Sequence, residues 1–115
     1  MKLENIRISF SGEMEKEGIY EMAQEAIKLG AKWDSDVSSD TNILVKGMDY
    51  IEKKDEQYFE KNSRLMHDHN VEQAKGFKTE IISENDFYKL IKEWINNLIK
   101  LNLIYTNKGL GYKWL

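Results

Sequence analysis

Ile6-Arg7-Ile8-Ser9-Phe10-Ser11-Gly12, residues 6–12, alternates apolar and polar side chains among β-forming types and then breaks at Ser-Gly. That alternation is the mark of a strand with one face turned to a core. The break leads into Ile19, Met22, Ala23, Ala26 and Ile27, spaced three and four apart, so that they share one face of a helix. Glu13, Glu15 and Glu17 cluster near the start of that helix, where its dipole favours negative charge. Gly30 follows the last turn and is placed to take the left-handed conformation that ends a helix.

Downstream, the same logic yields further elements. Ala31-Lys32-Trp33-Asp34 is a weak second strand, and Ser35 to Asn42 has the Ser and Asp content of a loop. Ile43-Leu44-Val45 is a short apolar run, as expected of a strand covered on both faces, and Gly47 closes it. Lys53 to Lys61 is charged and is either a helical insertion or a mobile loop; a second core helix is predicted from about Ser63 to Lys75. Thr79-Glu80-Ile81-Ile82 is a fourth strand.

The final helix has the clearest signal. Ser83 can cap it, with Asp86 at the third position, and Phe87, Leu90, Ile91, Trp94, Ile95, Leu98 and Ile99 form its stripe. Leu103-Ile104-Tyr105 and Tyr112-Lys113-Trp114 then suggest a hairpin around Asn107-Lys108-Gly109. The order β-α-β-β-α-β-α predicts an α/β fold: a four-stranded, mostly parallel sheet flanked by three helices, with a hairpin-like C-terminal extension. The expected division is a domain over 1–95 and an extension over 96–115 that packs on the domain or at a dimer interface. Right-handed crossovers would gather the strands' C-terminal ends, Ser11-Gly12 included, on one rim. Ligands usually bind open α/β sheets at that rim.

Composition narrows the function. A chain of 115 residues fits one domain, and 41% hydrophobic with 32% charged residues suits a solvated globular protein. A formal net charge of -3 argues against binding nucleic acid through overall charge. There is no cysteine, hence no disulfide and no thiolate metal site. Neither a secretory leader nor a membrane span is apparent, so a cytoplasmic location is expected. The carboxylates are spread over charged helix faces, and no phosphate loop, nucleophile elbow or zinc-protease helix occurs, so no enzyme and no cofactor are expected. His67-Asp68-His69 has metal-ligand residue types, but positions two apart on a helix diverge.

The ordered set Phe10-Ser11-Gly12, Gly30-Ala31-Lys32, Val37 through Thr41-Asn42-Ile43-Leu44-Val45-Lys46-Gly47, and Ala74-Lys75-Gly76-Phe77 through Ser83-Glu84-Asn85-Asp86-Phe87 resembles the BRCT family over about residues 5 to 95. The likeness is strongest to bacterial BRCT domains such as those of NAD-dependent DNA ligases and exonuclease-like proteins. It implies a non-catalytic module of DNA replication or repair that binds a protein partner, phosphorylated or not. Binding of DNA ends or nicks through a 5′-phosphate is the alternative it leaves open.

In family members that bind phosphopeptides, a Ser or Thr and the next Gly at the end of the first strand meet the phosphate, and a basic residue at the start of the second helix completes the site. Ser11 and Gly12 match the first half. For the second half, an ungapped count back from Ser83 reaches Asn70, whereas a helix starting near Ser63 puts Arg64 there; Lys46 is a further candidate. A hydroxyl, a glycine amide, a bidentate guanidinium and a helix N-terminus would together suit a phosphate. Lys75 and Lys78 are the expected DNA contacts. Leu98, Ile99, Leu101, Leu103 and Ile104 are apolar enough to predict either folding back or a homodimer.

Overall fold

The computed structural model describes residues 3–105, with side chains through residue 100. Seven elements follow in the order β1 (Arg7–Ser11), α1 (Ile19–Lys28), β2 (Lys32–Trp33), β3 (Ile43–Lys46), α2 (Tyr58–Phe77), β4 (Glu80–Ser83) and α3 (Glu84–Tyr105). The strands form one sheet in the order β2-β1-β3-β4, and every neighbouring pair is parallel. This is the predicted α/β class. No helix among the described residues is long and apolar enough to cross a membrane.

Alternation along the strands gives the sheet two unlike faces. Ile8 and Phe10 of β1 and Ile43 and Val45 of β3 meet Met22, Ala23 and Ala26 of α1 and Phe87 and Ile91 of α3 in one apolar core. Phe10 and Phe87 meet edge to face with centroids 5.2 Å apart, a favoured aromatic geometry. On the opposite face Leu44 meets Val71 and Ala74 of α2 and Val37. β1 turns Arg7, Ser9 and Ser11 to that face, and the two serines are buried. The α2 side is therefore small in apolar content and rich in polar groups.

The ends of α1 follow from local chemistry. The amides of Gly30 and Ala31 donate to the Ile27 and Ala26 carbonyls, the paired bonds of a Schellman stop. Gly30 has φ +101°, as its position after the helix predicted. Ile27, placed on the buried face by spacing, is instead 40% exposed in the last turn. At the start of α3, the Asp86 amide donates to Ser83 Oγ at 3.1 Å, the expected cap. Trp94 Nε1 donates to the Leu29 carbonyl at 3.1 Å and ties α3 to the end of α1. Trp33 packs edge-on against Tyr20 of α1.

Two boundaries differ from expectation. Helix α2 starts at Tyr58 rather than near Ser63, and the charged run before Ser63 supplies its first turn. Gln57 caps it by backbone alone, without a side-chain bond, so no Ser, Thr, Asp or Asn marks the start. Helix α3 continues to Tyr105; Leu103-Ile104-Tyr105 is helical and not the first arm of a hairpin. Its three-and-four spacing persists and no glycine interrupts it before Gly109. The expected division at 95/96 thus falls inside an unbroken helix, and the rest of the hairpin, 106–115, lies outside the described residues.

The C-terminus of α2 stores strain. Lys78 has φ 59° in a left-handed cap position, where a side chain is disfavoured. Gly76 sits within the same exposed last turns, and a Cβ there would meet nothing within 4 Å. Gly76→Ala and Lys78→Gly should each stabilise the protein by about 0.5–1 kcal/mol, measured by urea unfolding. A loss of stability in the Lys78 variant would refute the strained cap.

Candidate functional site

Strand register builds the rim. Ser11, Lys46 and Ser83, the last residues of β1, β3 and β4, are neighbours across the sheet. Ser11 and Lys46 therefore emerge on the α2 face at the same level. A two-stranded bridge between Glu13 and Met48, with amide–carbonyl bonds of 2.9 Å in both directions, then carries the chain past the rim.

The group that reaches Ser11 from α2 is His67. Its Nδ1 lies 2.7 Å from Ser11 Oγ, and its Nε2 lies 2.7 Å from Asp49 Oδ1. The imidazole is buried, and the Tyr50 ring packs edge-on against it. Lys46 Nζ is 3.0 Å from the same Asp49 oxygen. The order hydroxyl, imidazole, carboxylate, ammonium is thus continuous.

The membership resembles a nucleophile triad, but the surroundings do not serve one. Ser11 is 5% exposed. A Cβ on Gly12 would stand 2.8 Å from the Met48 carbonyl oxygen and 3.0 Å from His67 Cε1. The space that a glycine leaves at the rim is filled by this chain's own backbone and imidazole. Gly12, with φ +97°, is there to let β1 turn under Met48.

The other predicted site residues are placed as follows. Arg64 does not reach Ser11: its guanidinium makes two bonds to the Glu56 carboxylate at 2.9 and 3.0 Å, with Glu52 at 3.8 Å. The geometry is bidentate, and that cation is already neutralised. Asn70 is buried and braces the β2–β3 loop, accepting from the Val37 amide at 2.8 Å and donating to the Met66 carbonyl at 3.0 Å. Of the two cations among these candidates, Lys46 alone lies level with Ser11, and it is held by Asp49.

The head of α2 is not at the rim either. His67 is nine residues into the helix, roughly 13 Å of rise from Tyr58, so the dipole's positive end lies well beyond Ser11. Lys75 and Lys78 lie toward the other end of α2, next to the start of β4. They do not adjoin Ser11, and Lys75 faces Glu72 at 3.7 Å.

Sequence spacing could not identify His67. In sequence it pairs with His69, which is exposed while His67 is buried. The signal lay in the strand instead: Ser11 places a hydroxyl on an otherwise buried face, which calls for a polar partner on the covering helix. Among the described residues, no group of three or more His, Asp and Glu side chains is placed to hold a metal ion. No protein-family model matches the chain, and no curated protein matches it.

The network makes two measurable demands. Removing the imidazole leaves a buried hydroxyl without its partner, a penalty of about 1–3 kcal/mol. A double-mutant cycle of Ser11→Ala and His67→Leu should therefore give a coupling of about 1 kcal/mol or more in urea unfolding, and additivity would show that the contact carries nothing.

The second demand concerns acid. The His67 hydrogen bond, then Lys46, hold the Asp49 carboxyl below its ordinary pKa, and Arg64 does the same for Glu56. Carboxyls with a depressed native pKa stabilise fully above their unfolded values of about 4, and the contribution is lost as pH falls through the native values. The double variant Asp49→Asn, Glu56→Gln should consequently lose less stability than the parent between about pH 5 and 3. Equal pH slopes in denaturant titrations would contradict both ties.

Proposed function

We propose that this chain is a non-catalytic binding module of the BRCT type that makes protein–protein contacts in a DNA replication or repair assembly. The observation that carries the reading is the parallel β2-β1-β3-β4 sheet with Ser11-Gly12 closing β1 on the α2 face. That arrangement agrees with the architecture that the sequence resemblance implies. The burial of Ser11 and the closed backbone at Gly12 favour a structural over a nucleophilic role for the Ser11–His67–Asp49 chain.

Of the contact modes, the geometry favours one that does not depend on phosphate. The Ser11 hydroxyl is engaged by His67, Arg64 by Glu56, and Lys46 by Asp49. A phosphate would have to displace each of these partners before it gained a bond. DNA-end binding is disfavoured for the same reason, and by Glu13, Glu15, Glu17 and Glu84 around the strand end.

Homodimerisation has one observation in its favour. Helix α3 runs on past Trp94, its tie to Leu29, and Ile95 is 41% exposed. Sedimentation equilibrium separates this second reading: a dimer lost on Ile95→Glu would support it, and a monomer would remove it.

The main reading is tested by selection from matched peptide libraries, phosphorylated and unphosphorylated, alongside 5′-phosphorylated duplex DNA. Unphosphorylated peptides should be recovered as well as phosphorylated ones. Recovery of DNA but no peptide would sink the reading. Phosphate-dependent recovery abolished by Ser11→Ala would replace it with a phosphate pocket.

A further inference from the structure

The β3–α2 segment, residues 48–57, and the first turn of α2 reverse the usual order of polar and apolar groups. Polar side chains turn inward: Asp49 bonds His67, and Glu56 bonds Arg64. Large apolar side chains turn outward: Ile51, Tyr58 and Phe59 are 81%, 83% and 79% exposed. Solitary exposed apolar residues are ordinary, but neighbours grouped around a hollow mark an interaction surface. Here Tyr50, Ile51 and Phe59 line a hollow of about 340 Å³.

The segment is held rather than loose. The Glu13–Met48 bridge and the Asp49–His67 bond pin its start, the Glu56–Arg64 bonds pin its end, and Tyr50 rests on the His67 ring. A surface fixed before binding loses little conformational freedom on association. Aromatic residues on such a surface are the types that dominate contact energies.

Charge selects the occupant. Glu13, Glu56 and Glu60 line the hollow against one cation, Lys53, which is 3.3 Å from Glu60. Glu56 is matched by Arg64, with Lys61 adding to the positive field on it, whereas Glu13 has no side-chain partner among the described residues. The surplus is negative. A second copy docking by two-fold symmetry would bring the same carboxylates together, and nucleic acid would bring phosphates to them. A basic partner meets both features: an apolar anchor fills the hollow, and flanking arginine or lysine reaches the carboxylates and the tyrosine faces.

We infer that the Tyr50–Ile51–Phe59 hollow is a docking site for a basic, apolar-anchored segment of another protein. The inference rests on the binding-module reading and names the surface and the partner chemistry for it. The contact is made by outward apolar side chains, so it needs no phosphate.

The test uses the full ¹⁵N-labelled chain and two probes: a short amphipathic peptide of leucine and arginine, and its counterpart with glutamate for every arginine. The arginine peptide should shift amide resonances of residues 50–63, more strongly at low salt, while the glutamate peptide does not. Phe59→Ser, a change at an exposed position, should weaken binding roughly tenfold or more, with the amide spectrum elsewhere unchanged. Glu13→Gln should weaken it by a smaller factor.

Shifts mapping to another face, equal binding of both peptides, or indifference to Phe59→Ser would each overturn the inference. If library selection recovers peptides that neither carry basic residues nor compete at this hollow, the docking site falls while the module reading stands. If selection recovers only DNA, the module reading itself has failed.

Discussion

One imidazole connects the parts of this protein that the apolar core does not. On the α1–α3 face, burial of Ile8, Phe10, Ile43, Val45, Phe87 and their neighbours suffices to hold helices on the sheet. On the α2 face the apolar contacts are few, and a 20-residue helix must be positioned by directional bonds. His67 makes two of them at once, to the end of β1 and to the segment leaving β3. Asn70 repeats the device one turn on by bracing the β2–β3 loop. Because buried polar groups are costly when unpaired, such bonds specify one register for the helix more sharply than apolar contact alone would.

That arrangement has a consequence for recognition. A rim where a sheet ends is the ordinary place for a ligand in this fold class, since strand ends and helix heads converge there. Here the Ser11 hydroxyl and the Lys46 ammonium are bonded to other groups of the same chain, and α2 overshoots the rim by more than two turns. The polar chemistry that might have met a ligand holds the scaffold together instead. The most exposed large apolar side chains lie on the overshoot and the segment before it: Ile51, Tyr58 and Phe59, beside the points where Asp49 and Glu56 fasten that segment down.

The parts of the fold that were legible in the sequence are those set by local chemistry. The β1 alternation, the Gly30 stop, the apolar β3 run and the Ser83 cap each depend on residues within a turn or two of one another, and each lies where periodicity predicted it. The misread elements lack such local marks. Gln57 caps α2 without a side-chain bond, so the helix begins unannounced within a charged run. The β-rich composition of Leu103-Ile104-Tyr105 suggested a strand, yet continuity with the helix before it prevailed.

The sequence by itself determined the order of the elements and the α/β class, because hydrophobic period and turn chemistry are properties of neighbours along the chain. It also determined that Ser11 and Gly12 would end a strand at a rim. Only the tertiary structure decided which side chain answers Ser11. Arg64, His67 and Asn70 lie on successive turns of one helix, and their residue types favoured the arginine. The partners that settle the matter, Glu56, Asp49 and the Val37 amide, come from two other segments, the β3–α2 connection and the β2–β3 loop. A charge is spoken for by whatever the fold brings within about 3 Å of it, and spacing along the chain does not encode that distance.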